Sequence, residues 1–399
     1  MKYLYKLLLT LIAFVYLNSC SVNPVSGNQD FVLFSEEREL EIGRSYNAQI
    51  LQNEKVYADK KLQNYVQAVG DSLADISHRS NLVYRFTVLD SQNVNAFALP
   101  GGYIFIYRGL LSHLSSEEEL AAVLGHELGH VTARHSIRQA SKAQVLDILS
   151  YAVGSKMGST ASNVATLASG AFLAGYGREM ELQADSLGAE YMAEVGYSTK
   201  GMLETISVLK EQEMYSKEVA DRRGSGPQTY HGVFSSHPSN DKRLQKVINE
   251  VEIHSSSTSS SFNDQYLQKI NGMVYGDRES SGVRRGNSFY HGDLDIYLAA
   301  PKNWEIINNS STLIFNAPQG AASTSVDVID LNRRETPKEY LNRISSGKLF
   351  QDEKMKLDSY EAHTALLISN SMTYRVAVVF KDKQIFRFSG SVKNNYQGA

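Results

Sequence analysis

Residues 125–130 read Gly125-His126-Glu127-Leu128-Gly129-His130, and this stretch decides the architecture of the chain. The two histidines are four residues apart, a spacing that on a helix puts them on one face with about 5–6 Å between Cβ atoms. Two imidazoles on one face can bind the same metal ion, and the carboxylate beside the first can polarise a water molecule there. The pattern therefore predicts a zinc-peptidase site on a helix.

The residues around this stretch are typical of a helix. Ser116 and Glu119 have the spacing of a capping box, and the glutamates at 117–119 suit the positive end of the helix dipole. An apolar stripe follows at helical period, formed by Leu120, Val123, Leu124, Leu128 and Val131. Gly125 and Gly129 each weaken a helix by about 1 kcal/mol relative to alanine. Their presence beside the histidines predicts close packing against another element.

A catalytic zinc site needs a third protein ligand, and the stretch 178–185 offers one. Glu181 and Asp185 are again four residues apart on a predicted helix. Glu181 is predicted to bind the metal, and Asp185 to accept a hydrogen bond from the outer nitrogen of a ligand histidine. Glu179 is the alternative ligand, although its spacing points it to another face. A solvated acidic helix face is the alternative for the whole stretch.

Three runs occur in a fixed order along the chain: Asn95-Ala96-Phe97-Ala98-Leu99-Pro100-Gly101-Gly102-Tyr103-Ile104-Phe105, then 126–130, then Glu181-Leu182-Gln183-Ala184-Asp185. Together they resemble the gluzincin zinc metallopeptidases of the HtpX, CAAX prenyl endopeptidase and BepA family, over about residues 23–244. The chain lacks several long apolar spans, so it resembles the soluble periplasmic branch. The resemblance implies one Zn²⁺ per chain held by His126, His130 and Glu181, with Glu127 as general base and Asp185 as hydrogen-bond partner of a ligand.

The resemblance also implies where substrate binds. Residues 93–99 and 103–107 read as strands around a Pro-Gly-Gly turn. An exposed strand can accept an extended peptide through backbone hydrogen bonds. The family places this substrate-binding edge along Asn95, Ala96, Phe97, Ala98 and Leu99. A hairpin with no such role is the alternative.

Further histidines follow the predicted site. In relatives a histidine approaches the zinc and either stabilises the oxyanion or caps the metal, and the Ser-His-Pro match assigns this role to His237. His231 is an alternative, and a surface-loop histidine is another. His135 lies five residues after His130, which would place it about 140° round a continuous helix from that ligand. It is therefore predicted to lie on a helix face and not to bind the metal.

The amino terminus predicts export. A positively charged start and an apolar stretch at 7–17 precede Leu17-Asn18-Ser19-Cys20, which resembles a bacterial lipobox. Residues 1–19 are thus predicted to be a lipoprotein signal peptide, and Cys20 to be lipidated. Cys20 is the only cysteine in the chain, and lipidation explains a lone thiol in an exported protein. Ordinary signal cleavage or a short uncleaved anchor is the alternative.

The composition narrows the class of protein. A net charge of -3 over 399 residues argues against a nucleic-acid binder. The uncharged stretch 157–177 is rich in small and polar residues, which disfavours a stable membrane span. A buried helix or a flap over the site is expected there.

The fold class is predicted to be α+β. Residues 20–253 are expected to form a mostly helical metallopeptidase domain with a small β-sheet edge, and 254–281 a Ser-rich linker. Residues 282–399 are expected to form a smaller C-terminal α+β domain with many strands and one helix near 336–346. This accessory domain is predicted to dock substrates or partners.

The sequence as a whole predicts a zinc-dependent endopeptidase acting on unfolded or misassembled envelope proteins. Lipidation would anchor it at the periplasmic face of a Gram-negative-type envelope, at the outer membrane, where assembly partners are expected. The alternative is a lipoprotein chaperone or assembly factor whose zinc site is structural or capped.

Overall fold

The computed structural model describes residues 20–152, 175–222, 263–278, 281–309, 312–345, 349–357, 359–369 and 372–392. Two compact units are present. The first comprises residues up to 213 together with 229–275, and the second comprises 214–228 together with 276–399. Helices dominate the first unit and strands dominate the second, so the predicted α+β class is confirmed.

The first unit contains most of the helices. They are α1 (Glu36–Asn53), α2 (Lys60–Ala74), the short α3 (Arg108–Leu111), α4 (Glu117–Thr132), α5 (His135–Ala152), α6 (Arg178–Glu194), α7 (Lys200–Arg222), which begins in this unit, and α8 (Asn263–Ile270). Its strands are β1 (Cys20–Val22), β2 (Gln29–Phe31), β3 (Arg85–Leu89), β4 (Ala96–Leu99) and β5 (Tyr103–Tyr107). β1 and β2 form an antiparallel pair, and the other three form a sheet in the order β3-β5-β4.

The three-stranded sheet has two different edges. Strand β5 is central and pairs in parallel with β3 and antiparallel with β4 across the predicted turn. Two glutamine side chains of α2 occupy the outer edge of β3. Gln63 exchanges hydrogen bonds with the backbone of Val88, and Gln67 accepts from the backbone of Phe86 and donates to that of Tyr84. The opposite edge of the sheet is β4.

Helix α4 runs through the main core of the first unit. Its side chains from Glu118 to Thr132 are all buried. The cap is close to the predicted one, because the Ser116 side chain accepts from the backbone of Glu119. Glu119 does not close the box, since its carboxylate accepts from the backbone of Ser115 instead. The core around α4 includes Leu62, Val66, Leu73, Ile104, Ile106, Leu120, Leu124 and Leu128.

The segment expected to be a linker contains a packed helix. Residues 254–262 lie outside the described residues, but 263–270 form α8. Tyr266 on this helix is fully buried in the core of the first unit, and its hydroxyl donates to the carbonyl of Leu111 at 2.6 Å. The first unit therefore extends to residue 275.

The second unit is built around a seven-stranded antiparallel sheet in the order β12-β13-β14-β15-β11-β10-β9. Its strands are β9 (Glu305–Asn308), β10 (Thr312–Asn316), β11 (Ala322–Asp330), β12 (Phe350–Leu357), β13 (Tyr360–Ser369), β14 (Met372–Lys381) and β15 (Gln384–Val392). A second sheet contains β6 (Val283–Arg285), β7 (Ser288–His291) and β8 (Ile296–Ala299). Helix α9 (Pro337–Ile344) begins with a full capping box of Thr336 and Glu339.

None of the described helices is long and apolar enough to cross a membrane. Of the uncharged stretch 157–177, only residues 175–177 fall within the described part of the chain.

Candidate metal centre

Small residues let α4 and α6 approach closely, as the glycines in the sequence predicted. A Cβ atom on Gly125 would lie 3.2 Å from the Cα of Gly188, and one on Gly129 would lie 2.9 Å from the carbonyl oxygen of Ala184. The second distance is shorter than real Cβ contacts and involves backbone, which cannot swing away. This close approach brings the carboxylates of α6 beside the histidines of α4.

Three side chains converge between these helices. The Nε2 atoms of His126 and His130 are 3.0 Å apart. Glu181 places one carboxylate oxygen 3.6 Å from Nε2 of His126 and the other 3.4 Å from Nε2 of His130. All three residues are buried, and one ligand atom from each lies within 4.8 Å of the others. Glu179, the alternative ligand, is exposed.

These distances fit a zinc ion. Zinc binds imidazole nitrogen and carboxylate oxygen at about 2.0–2.2 Å, usually with tetrahedral geometry, which separates neighbouring ligand atoms by about 3.3 Å. The three measured separations of 3.0, 3.4 and 3.6 Å lie around that value. Two neutral imidazoles and one carboxylate also form a donor set that zinc uses in peptidases. His126, His130 and Glu181 could therefore hold the metal.

The outer nitrogen of His126 is held by a carboxylate. His126 Nδ1 lies 2.8 Å from Oδ1 of Asp185, which is 1% exposed. Because a carboxylate accepts, Nδ1 carries the proton and Nε2 keeps its lone pair for a metal. Asp185 lies one helical turn after Glu181 on α6, so one helix face supplies both carboxylates.

The outer nitrogen of His130 has a different partner, which was not predicted. His135 Nδ1 lies 2.8 Å from His130 Nδ1, and the Nε2 of His135 lies 3.0 Å from Oε1 of Gln183. Burial lowers the pKa of His135 to about 4, so this ring is neutral at pH 7. The ring of His130 also stacks on the ring of Tyr176, with the two centroids 4.0 Å apart.

The predicted placement of His135 on a distant helix face is wrong, because the helix does not continue. Helix α4 ends at Thr132, and Arg134 has a φ of 53°, in the left-handed region that interrupts a right-handed helix. Helix α5 then begins at His135 itself. This turn brings the His135 ring into contact with His130 on α4.

A buried ion network holds the turn between α4 and α5. Arg134 Nε lies 2.7 Å from one oxygen of Glu39, and Arg79 lies 2.6 Å from the other. Arg79 also donates to the carbonyl of Val131 in the last turn of α4. Glu39 is 1% exposed, so both cations share one buried carboxylate. The carboxyl-terminal end of α4 is thereby tied to α1.

Glu127 is 2% exposed and lies between the two histidines on α4. Burial raises the pKa of Tyr176, and the negative charges of Glu127 and Glu181 raise it further. The phenol of Tyr176 therefore stays protonated, and it shares a 2.6 Å hydrogen bond with the hydroxyl of Ser136.

Strand β4 contains four of the five residues predicted to bind substrate, and Asn95 directly precedes it. The backbone N–H of Tyr107 donates to the carbonyl of Asn95. Since antiparallel pairing alternates, Phe97 and Leu99 also direct their backbone groups to β5, and Ala96 and Ala98 direct theirs to the opposite side. The side chains of Ala96 and Ala98 are buried in the core that surrounds α4.

Some predicted site residues lie outside the described residues. These are His237, its alternative His231, and the predicted signal peptide 1–19. The backbone of Cys20 is described as the first residue of β1.

Comparisons with known proteins agree with this geometry. Residues 60–251 match the model of peptidase family M48. The β-barrel assembly-enhancing protease of Escherichia coli strain K12 is 25% identical over 268 residues, which cover 65% of this chain and 53% of the relative. The mitochondrial metalloendopeptidase OMA1 of Schizosaccharomyces pombe is 25% identical over 56% of this chain and 64% of the relative. The metalloprotease YcaL of Escherichia coli is 26% identical over 48% of this chain and 69% of the relative.

The chain spans about half the length of the β-barrel assembly-enhancing proteases that it matches. The matched residues 60–251 contain the three clustered side chains, Glu127 and Asp185. The resemblance inferred from the motifs is confirmed, because residues 60–251 match the model of peptidase family M48.

Proposed function

We propose that this chain is a zinc-dependent endopeptidase with one zinc ion per chain. One observation carries the proposal: two imidazole nitrogens and a carboxylate converge at 3.0–3.6 Å in a buried site that also contains Glu127. His126, His130 and Glu181 would hold the ion. When bound, zinc supplies Lewis acidity toward a peptide carbonyl and toward water.

Glu127 is the general base in this proposal. Its carboxylate would take a proton from the attacking water and pass it to the leaving amine. Burial keeps bulk water away from this carboxylate, which strengthens its electrostatic interactions with reacting groups. Asp185 would hold His126 in the tautomer that presents Nε2 to the ion.

The test is hydrolysis of an unfolded protein by the full chain and by Glu127→Gln, with zinc content measured in both. The amide keeps the shape but cannot take the proton, so activity should fall by about 10²–10⁴-fold while zinc stays bound. Glu179→Gln, which alters an exposed carboxylate near the site, should keep full activity. A zinc-loaded wild type that hydrolyses no faster than Glu127→Gln would favour the chaperone or assembly-factor alternative.

We propose that substrates bind as an added strand on β4, through the carbonyl of Ala96 and the backbone of Ala98, since the N–H of Ala96 already donates to Oδ1 of Asn95. Such pairing selects extended chains, which supports unfolded or misassembled proteins as substrates. Ala98→Pro removes one outward N–H of the edge strand, and because Ala98 is only 6% exposed, the melting temperature of the variant must be measured beside its KM. The loss of one hydrogen bond should raise KM about 2- to 10-fold. An unchanged KM with an unchanged melting temperature would refute strand addition at this position.

We propose His237 as an oxyanion donor or as a cap on the metal, from the motif match alone. His237→Ala should lower turnover if the histidine stabilises the oxyanion, and raise it if the histidine caps the ion. Unchanged turnover would remove His237 from the mechanism, and His231→Ala would then be the variant to measure.

We further propose that the protein acts on envelope proteins, from the periplasmic side of the outer membrane, held there by a lipid on Cys20. The lipobox-like sequence before Cys20 supports the anchor, and the name of the β-barrel assembly-enhancing relatives supports envelope proteins as substrates and assembly factors as partners. Labelled palmitate should be incorporated by the wild type and lost in Cys20→Ala. Labelling that survives this change would refute the anchor.

A further inference from the structure

The two histidines of the proposed metal site are held in different ways. His126 donates to a carboxylate, a common partner for a metal-binding imidazole. His130 instead meets another imidazole, that of His135, through Nδ1 of both rings. A neutral imidazole can donate or accept at Nδ1, so His135 orients His130 only if its own tautomer is fixed.

Gln183 is placed to fix that tautomer. Its Oε1 lies 3.0 Å from Nε2 of His135 and 3.3 Å from Nη1 of Arg138. A guanidinium can only donate, so the atom of Gln183 that faces it must be the carbonyl oxygen and not the amide nitrogen. The same oxygen then accepts from Nε2–H of His135.

The direction of the remaining hydrogen bond follows. With its proton on Nε2, the neutral ring of His135 carries a lone pair on Nδ1. That lone pair accepts from Nδ1–H of His130, which leaves the lone pair of His130 Nε2 directed to the metal position. Arg138 is itself oriented by Asp30, whose Oδ2 lies 3.1 Å from its Nε.

We infer that Gln183 and Arg138 are positioning residues that act through His135 to hold His130 in its metal-binding tautomer. The inference rests on the metal site proposed above. The relay runs between three helices, since His130 lies on α4, His135 and Arg138 on α5, and Gln183 on α6. This relay orients His130, whereas a single carboxylate, that of Asp185, orients His126.

The test compares two substitutions at one position in the full chain. Gln183→Met keeps the length of the side chain but removes the acceptor. Because Gln183 acts on His130 only through His135, the variant should weaken zinc affinity by up to about 10-fold, the lower end of the loss expected for a ligand's own hydrogen-bond partner. Gln183→Glu keeps an oxygen acceptor and should retain the wild-type affinity. Glu179→Met, an exposed position on the same helix, is the matched control. Affinity is measured by competition with a chelator, and folding by circular dichroism.

Histidine nitrogen shifts give a second readout from ¹⁵N-labelled protein. His135 should be protonated on Nε2 in the wild type and should lose this preference in Gln183→Met. Wild-type affinity in Gln183→Met would overturn the inference, as would equal losses in Gln183→Met and Gln183→Glu. A wild-type His135 protonated on Nδ1 would also overturn it. A wild type that binds no zinc would refute the proposed function, while the His135 tautomer would still test the relay.

Discussion

The two units bury charge differently. In the first unit, the ion pairs Arg79–Glu39, Arg134–Glu39 and Arg108–Asp90 have side chains no more than 7% exposed. Among the described ion pairs of the second unit, each has at least one side chain that is more than 30% exposed, as in Arg387–Asp327 and Lys338–Asp352.

This difference matches what each unit needs. Buried charge costs desolvation and contributes specificity of position more than net stability. The first unit needs that specificity, because a buried network ties down the helix that carries His126, Glu127 and His130. The second unit has an aliphatic and aromatic core under its large sheet, which stabilises a fold with charge left at the surface.

The largest expected effect comes from breaking the buried network at its centre. Glu39→Gln leaves Arg79 and Arg134 facing a neutral group inside the protein, which should destabilise the first unit by about 3–5 kcal/mol. Chemical denaturation measures this change. The matched control is Glu36→Gln, whose carboxylate also pairs with Arg79 but is 49% exposed, and it should cost about 0–1 kcal/mol. Equal losses in the two variants would contradict the special position of Glu39.

The second prediction concerns the core of the C-terminal unit. Leu341 on α9 is fully buried against the sheet. Leu341→Ala should destabilise this unit by about 2–5 kcal/mol, since it removes apolar contacts and leaves a cavity. Zinc affinity should not change, because the proposed ligands belong to the first unit. A parallel loss of zinc affinity would show that the metal site depends on the core of the second unit.

A smaller effect is expected where α4 meets α6. Gly129→Ala places a methyl group 2.9 Å from the Ala184 carbonyl, and such overpacking costs about 1–3 kcal/mol. The helix preference of alanine offsets about 1 kcal/mol of this. Gly125→Ala meets its nearest atom at 3.2 Å and should cost less. Denaturant midpoints and zinc affinities of the two variants test whether Gly129→Ala is the more damaging change. A larger loss in Gly125→Ala would refute this ranking.

The smallest effect lies at a surface cap in the second unit. Thr336→Ala removes the capping-box hydroxyl at the start of α9 and should cost about 1 kcal/mol. Thr336→Ser keeps the hydroxyl and should stay close to the wild type in thermal unfolding. A loss in Thr336→Ser as large as that in Thr336→Ala would show that the methyl group, and not the cap, stabilises this helix.

The cluster of His126, His130 and Glu181 could be predicted from the sequence because its members are spaced by helical turns. His135 could not, since the turn that places it depends on a positive φ at Arg134, an arginine with no local mark of such a conformation. The residues that hold Arg134 in this turn are Glu39 and Arg79. Both are distant from Arg134 in the sequence and come close to it only in the folded chain.

Two features of the sheets were also beyond prediction. Strand β12 has every side chain exposed and a highly charged sequence, so it lacks the alternation that marks a half-buried strand. The pairing of β3 with Gln63 and Gln67 uses side-chain amides in place of a neighbouring strand. Amides on an exposed helix face look the same in a sequence whether or not they meet a sheet edge.

The zinc content of the full chain and of Glu181→Ala, after dialysis against a chelator of moderate affinity, tests the proposed metal site most directly. His126 and His130 remain in this variant, so it asks whether the carboxylate of α6 completes the site. We expect one zinc per chain in the wild type and in Glu179→Ala, with little or none in Glu181→Ala. One zinc per chain in Glu181→Ala, held as tightly as in the wild type, would show that Glu181 is not a ligand.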